Sequence, residues 1–106
     1  MSWAGWSIFL LAAILEVGGD AVIRLGLRRS GAALIVLGFL ILGSYGVVVN
    51  TVKWDFSRLL GVYVAVFALV SVLFGRFVFS ESIPLATWVG LGIIIAGGLV
   101  IQFGSA

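Results

Sequence analysis

Four long apolar stretches, joined by three short polar ones, make up nearly the whole chain. The first covers about 3–25 and carries charges inside it; the second, about 32–51, and the fourth, about 84–103, carry none. The third covers about 59–79 and holds only Arg76, close to its end. A helix needs roughly 20 apolar residues to cross a hydrocarbon layer about 30 Å thick, so each stretch is long enough to span a membrane. The connectors are "LRRSG", "VKWDFSR" and "SESIP". Trp3, Trp6 and Trp54 fall where amphipathic rings anchor a span at the interface, and Pro84 suits the first turn of the fourth helix. The pattern predicts an all-α integral membrane protein, a four-transmembrane-helix bundle in a single domain.

Composition agrees. Of 106 residues, 63% are hydrophobic and 9% charged, against roughly 45–50% and 25% in a soluble domain. The expected location is the cell membrane, with several passes. "MSWAGWSIFLLAAILEVGGDA" lacks the basic start of a signal peptide, and cleavage would remove its acids, so it is expected to remain as the first span. Four spans leave no room for a soluble domain, which confines any chemistry to the spans and short turns.

Six basic residues against four acidic ones are too few and too scattered for a nucleic-acid surface. No Cys or His is present, which removes disulfides and the usual zinc and haem ligand sets. No cofactor motif and no nucleophile with an adjacent base is recognisable, which argues against an enzyme. Arg24, Arg28, Arg29 and Arg76 would share one side of the membrane, and Lys53 and Arg58 the other. That margin favours termini outside only slightly, and leaves insertion in both orientations open.

Glycines punctuate the second span at Gly38, Gly43 and Gly46, and the fourth at Gly90, Gly92, Gly97 and Gly98. Such positions let helices approach closely where lipid offers no hydrophobic drive, and packing within the bundle is the expected use of most. The uncharged fourth span is the expected dimerisation arm.

The stretch "LEVGGDAVIR" holds the candidate chemistry. Glu16 lies well inside the first span, where an ionised carboxylate is costly, so it is by default a functional residue. Burial favours its protonated form, and such a group can hold a proton or a cation but not both. That exclusion is the minimum requirement for proton-coupled antiport. The competing reading is that Glu16 is satisfied by a neighbouring helix and only fixes packing. Asp20 has Arg24 four residues on, the favoured order for a helical pair, so a salt bridge competes with a role in binding. Gly18 and Gly19 leave space beside the acids for a substrate or another helix. Ser44 and Tyr63 fall near mid-membrane, suited to orienting a carboxylate or stacking on a cation. Tyr45, Asn50, Thr51 and Ser71 are further polar residues of the spans. Arg76 either reaches the interface or meets an acid from another helix.

These patterns resemble the small multidrug resistance family of the drug/metabolite transporter superfamily. "AILEV" is similar to the segment around that family's essential glutamate, "SYGVVVNTVKW" to the end of its second helix, and "FSESIPLATWVGLGIIIAGGLVI" to its last turn and fourth helix. The resemblance implies an antiparallel, dual-topology homodimer in which two copies of Glu16 share one site. It also implies a hydrogen bond from Ser44 to Glu16, Tyr63 as the binding aromatic of the third helix, and fourth helices joining the protomers. This chain departs from the family's third-helix opening, with Leu60 and Tyr63 in "SRLLGVYVAVF". Gly19 stands where guanidinium exporters carry Trp, and Asp20 is an additional acid.

The leading expectation is a proton-coupled exporter of small organic cations, guanidinium, quaternary ammonium or hydrophobic. Glu16, Asp20, Ser44, Tyr63 and Gly19 form its substrate and proton site, with Arg24 and Arg76 as charge partners. No metal or cofactor is expected. The partners are the cation, protons, membrane lipid and a second copy of the chain. Two alternatives stand beside it: a flippase for a lipid or lipid-linked sugar, drawn by the arginines, and a non-transporting membrane assembly subunit.

Overall fold

A computed structural model describes residues 3–29 and 31–104; the side chain of Trp3 lies outside the described residues, as does the expectation for its anchoring. The described residues form four α-helices, α1 (Trp3–Arg28), α2 (Ala32–Val49), α3 (Phe56–Phe77) and α4 (Leu85–Gly104), and no strand. α2, α3 and α4 are long and apolar enough to cross a membrane. α1 is the longest at 26 residues and carries Glu16, Asp20 and Arg24 within it.

The ends of the helices differ from the apolar runs by a few residues, because capping chemistry sets them. α2 stops at Val49, short of the apolar-run estimate. The Asn50 side-chain amide donates to the Gly46 carbonyl at 2.7 Å, and the Thr51 hydroxyl to the Val48 carbonyl at 2.7 Å. These bonds reinforce the backbone N–H groups of Asn50 and Thr51, which donate to the same two carbonyls at 3.4 and 3.2 Å and close the last turn. α3 begins at Phe56, earlier than its apolar run, because the Asp55 carbonyl already accepts the Leu59 N–H at 2.8 Å. It ends at Phe77, and Ser80, with a left-handed φ of 54°, helps turn the chain. Pro84 precedes α4, its carbonyl accepting the N–H groups of Thr87 and Trp88 at 3.0 and 3.3 Å.

The chain divides into two units between Val52 and Lys53. In the first, α1 packs on α2 as an antiparallel hairpin. A Cβ added to Gly26 would lie 3.0 Å from the Gly31 carbonyl and 3.1 Å from the Ile35 N–H nitrogen. One on Gly38 would lie 2.9 Å from the Gly19 carbonyl and 3.1 Å from the Ile23 nitrogen. One on Gly19 would reach the Leu42 nitrogen at 3.1 Å. These contacts are with backbone, so glycine is what permits the approach. On both helices the contact positions step by alternately three and four residues, the spacing that helices crossing at a shallow angle require.

In the second unit, α3 packs on α4. A Cβ on Gly98 would meet the Ala65 Cβ at 2.8 Å, and one on Gly61 the Ile101 Cδ1 at 2.8 Å. At the far end Arg58 Nη2 donates to Gln102 Oε1 at 3.1 Å. Leu59, Val62, Tyr63, Val70 and Leu91 are buried. Of the seven glycines singled out in the second and fourth spans, Gly38 and Gly98 are packed this tightly. Gly43, Gly46, Gly90, Gly92 and Gly97 have open space where a side chain would go. Within their own hairpins, two of the seven therefore serve close helix packing. The seam uses only glycines that fall on its own stripe.

Candidate functional site

The α1–α2 seam leads to Glu16. On α1 the stripe of close contacts runs through Gly26, Ile23 and Gly19, and the next step of three reaches Glu16. On α2 it runs through Ile35, Gly38 and Leu42, and the next step of three reaches Tyr45. Because the helices are antiparallel, these two continuations meet. Glu16 and Tyr45 are both partly buried at this point of the seam. Beyond them the same face of α1 is closed by Ala12, Ala13 and Phe9, each fully buried, and α2 contributes Val49 at 1% exposure.

The other expected residues are distributed as follows. Gly19 is buried, and the room beside it is filled by Gly38 and Leu42 of α2; Gly18, one residue earlier, has open space. Asp20 and Arg24 are exposed, one turn apart on α1. Ser44 is exposed, and its hydroxyl donates to the Leu40 carbonyl of its own helix at 2.9 Å. The resemblance implied a bond from Ser44 to Glu16 instead. Ser44 falls beside the stripe rather than on it, and the carbonyl four residues back is the nearest acceptor for a helical serine. Tyr63 is buried in the α3–α4 unit, its ring 6.4 Å from that of Phe67. Arg76 is exposed near the end of α3, with its guanidinium carbon 5.6 Å from the Phe77 ring centroid.

Tyr45 is the residue that sequence reasoning passed over. A signal for it exists in the spacing Gly38, Leu42, Tyr45, Val49, which steps by four, three and four. Knowing which face of α2 meets α1 is what gives that spacing a meaning.

A carboxylate in this setting can exchange a proton for a cation, and a phenol beside it offers both a hydroxyl and a ring face. Among the described residues no group of three or more Asp, Glu, His or Cys is arranged to hold a metal ion.

The family model described as "Uncharacterised BCR, YnfA/UPF0060 family" matches residues 5–106. The chain belongs to the YnfA/UPF0060 family. A UPF0060 membrane protein of Staphylococcus carnosus is 42% identical over 79 residues, 73% of this chain and 72% of the relative. The UPF0060 membrane protein YfjF of Bacillus subtilis is 34% identical over 98 residues, 91% of this chain and 90% of the relative. A third, sll0793 of Synechocystis, is 26% identical over 96 residues. No solved structure matches the chain at a significant level. Relatives named as membrane proteins and three long apolar helices together make this YnfA/UPF0060 chain a multi-pass membrane protein.

Proposed function

We propose that this YnfA/UPF0060 member is a proton-coupled antiporter that exports small organic cations, with Glu16 as the group that binds proton and substrate in turn. The observation that carries the reading is the position of Glu16, partly buried within α1 and set by the hairpin register opposite Tyr45 of α2. An acid at that depth exchanges its proton readily for a delocalised cation, because each neutralises the charge that lipid disfavours. Guanidinium, quaternary ammonium and hydrophobic cations all meet that requirement, and the aromatic ring adds an attractive face for them.

Asp20, exposed one turn beyond Glu16, draws cations toward the site, and Arg24 moderates its charge. Ser44 contributes a polar edge beside Tyr45. The working form is an antiparallel homodimer, since two oppositely inserted copies make an inverted repeat with a site at the bilayer midplane. The sequence resemblance to the small multidrug resistance family supports the same reading.

The test is transport in proteoliposomes carrying an imposed pH gradient. Wild-type protein should accumulate guanidinium or a quaternary ammonium ion against its gradient, and Glu16→Gln should not. Absence of cation transport by the wild type, combined with thermal stabilisation by lipid phosphates, would replace this reading with the flippase.

A further inference from the structure

Each end of the α3–α4 hairpin carries an arginine and a carboxylate that share one groove without pairing. At the start of α3 and the end of α4, Asp55, Ser57 and Arg58 line a groove of about 560 Å³ together with Ile101. At the opposite end Arg76, Glu81 and Trp88 line one of about 310 Å³, with Ser80 and Ser82. Both volumes fall at roughly the scale of small-ligand sites, about 300–1,000 Å³.

The charges in these grooves are held apart by other contacts. Asp55 occupies the N-cap of α3, yet its side chain makes no capping bond, so its carboxylate is not used by the helix. Arg58 is fixed from two other directions: Nη2 donates to Gln102 Oε1 at 3.1 Å, and its guanidinium carbon stands 4.4 Å from the Trp54 ring centroid. Its Nε–H is buried with no acceptor. Gln102, only 6% exposed, thus holds a cation in place at the end of an otherwise apolar helix. At the other groove the Glu81 N–H donates to the Gly75 carbonyl at 2.9 Å, and the Glu81 carboxylate sits against Gly75, where any side chain would displace it. Among the described residues neither Asp55 nor Glu81 forms an ion pair.

Trp54 and Trp88 stand at the two opposite ends of this apolar hairpin, and tryptophan is the residue type enriched at membrane–water interfaces. A ligand there that carries a single negative charge would satisfy the arginine and be repelled by the carboxylate. One that carries a phosphate and a primary ammonium a few bonds apart would satisfy both. We propose that each groove seats the headgroup of a zwitterionic aminophospholipid, phosphate on Arg58 or Arg76 and ammonium on Asp55 or Glu81, one in each leaflet. All of these residues lie in the α3–α4 unit, and the transport reading proposed above gives none of them a role, Arg76 included although the sequence offered it as a charge partner, so the two proposals can fail separately.

The experiment measures which lipids stay bound to the purified full chain, by native mass spectrometry after exposure to equal amounts of phosphatidylethanolamine and phosphatidylglycerol. Wild-type protein should retain the ethanolamine lipid preferentially by about two- to fivefold, the scale of one exposed ion pair. The double variant Asp55→Asn, Glu81→Gln changes two exposed residues, so the fold is kept, and it should lose the preference. Equal retention of the two lipids by the wild type, or a preference that survives in the double variant, would overturn the proposal.

Discussion

Gly19 and Gly38 face one another across the α1–α2 seam. A methyl group on Gly38 would come within 2.9 Å of the Gly19 carbonyl oxygen, and one on Gly19 within 3.2 Å of the Gly38 carbonyl oxygen. This contact sets the register of the hairpin, and the register brings Tyr45 to Glu16. The glycines therefore position the Glu16–Tyr45 pair from one helical turn away, through where they let the second helix lie.

Substitution of that pair should weaken the hairpin. Gly38→Ala meets backbone that cannot move without shifting a helix, and overpacking of this kind costs about 1–3 kcal/mol. Gly43→Ala, in open space on the same helix, should be close to neutral. Thermal unfolding of the purified variants checks the contrast; equal effects at both positions would show that the seam does not run where it is described.

A parallel contrast applies to the α3–α4 hairpin. Gly98→Ala would press on the Cβ of Ala65, which has no freedom to turn away, whereas Gly61→Ala would press on the terminal methyl of Ile101, which can change rotamer. Gly98→Ala should be the more destabilising of the two in the same unfolding assay.

Arg58→Ala should cost about 1–3 kcal/mol, because it leaves the buried Gln102 carbonyl oxygen without its donor. Arg58→Lys should recover little of this, since an ammonium cannot reproduce the planar contact with Trp54 and the directed bond together. A double-mutant cycle with Gln102→Leu isolates the pairwise contribution, and a coupling near zero would contradict it.

Tyr45→Phe keeps the ring and removes the hydroxyl. Because the hairpin register sets Tyr45 opposite Glu16, loss of the hydroxyl should move the pH midpoint of cation-driven proton release. Ser44→Ala should leave the midpoint in place, since that hydroxyl is engaged by Leu40. Fluorescence of a pH indicator during cation addition reads both.

Much of this fold is legible without coordinates. The four helices follow from long apolar runs, the first of them interrupted by charge, and local hydrogen bonds account for the shifted ends at Asn50 and Asp55. Glu16 stands out because charge inside a span is expensive. What the one-dimensional pattern does not carry is the choice of face. Gly38, Gly43 and Gly46 look alike along the chain, and only the partner helix distinguishes the first from the others. Tyr45 is obscured for the same reason: beside Ser44 it is one more polar residue, until the seam assigns it to the side that meets Glu16.

In the proposed function one carboxylate, Glu16, binds proton and cation in competition. The most direct measurement is proton release from detergent-purified protein on adding guanidinium and quaternary ammonium ions in turn, with wild type and Glu16→Gln side by side. Release is expected from the wild type with at least one of these cations and none from Glu16→Gln. Equal release from both proteins would place the exchange on another group and contradict the role given to Glu16.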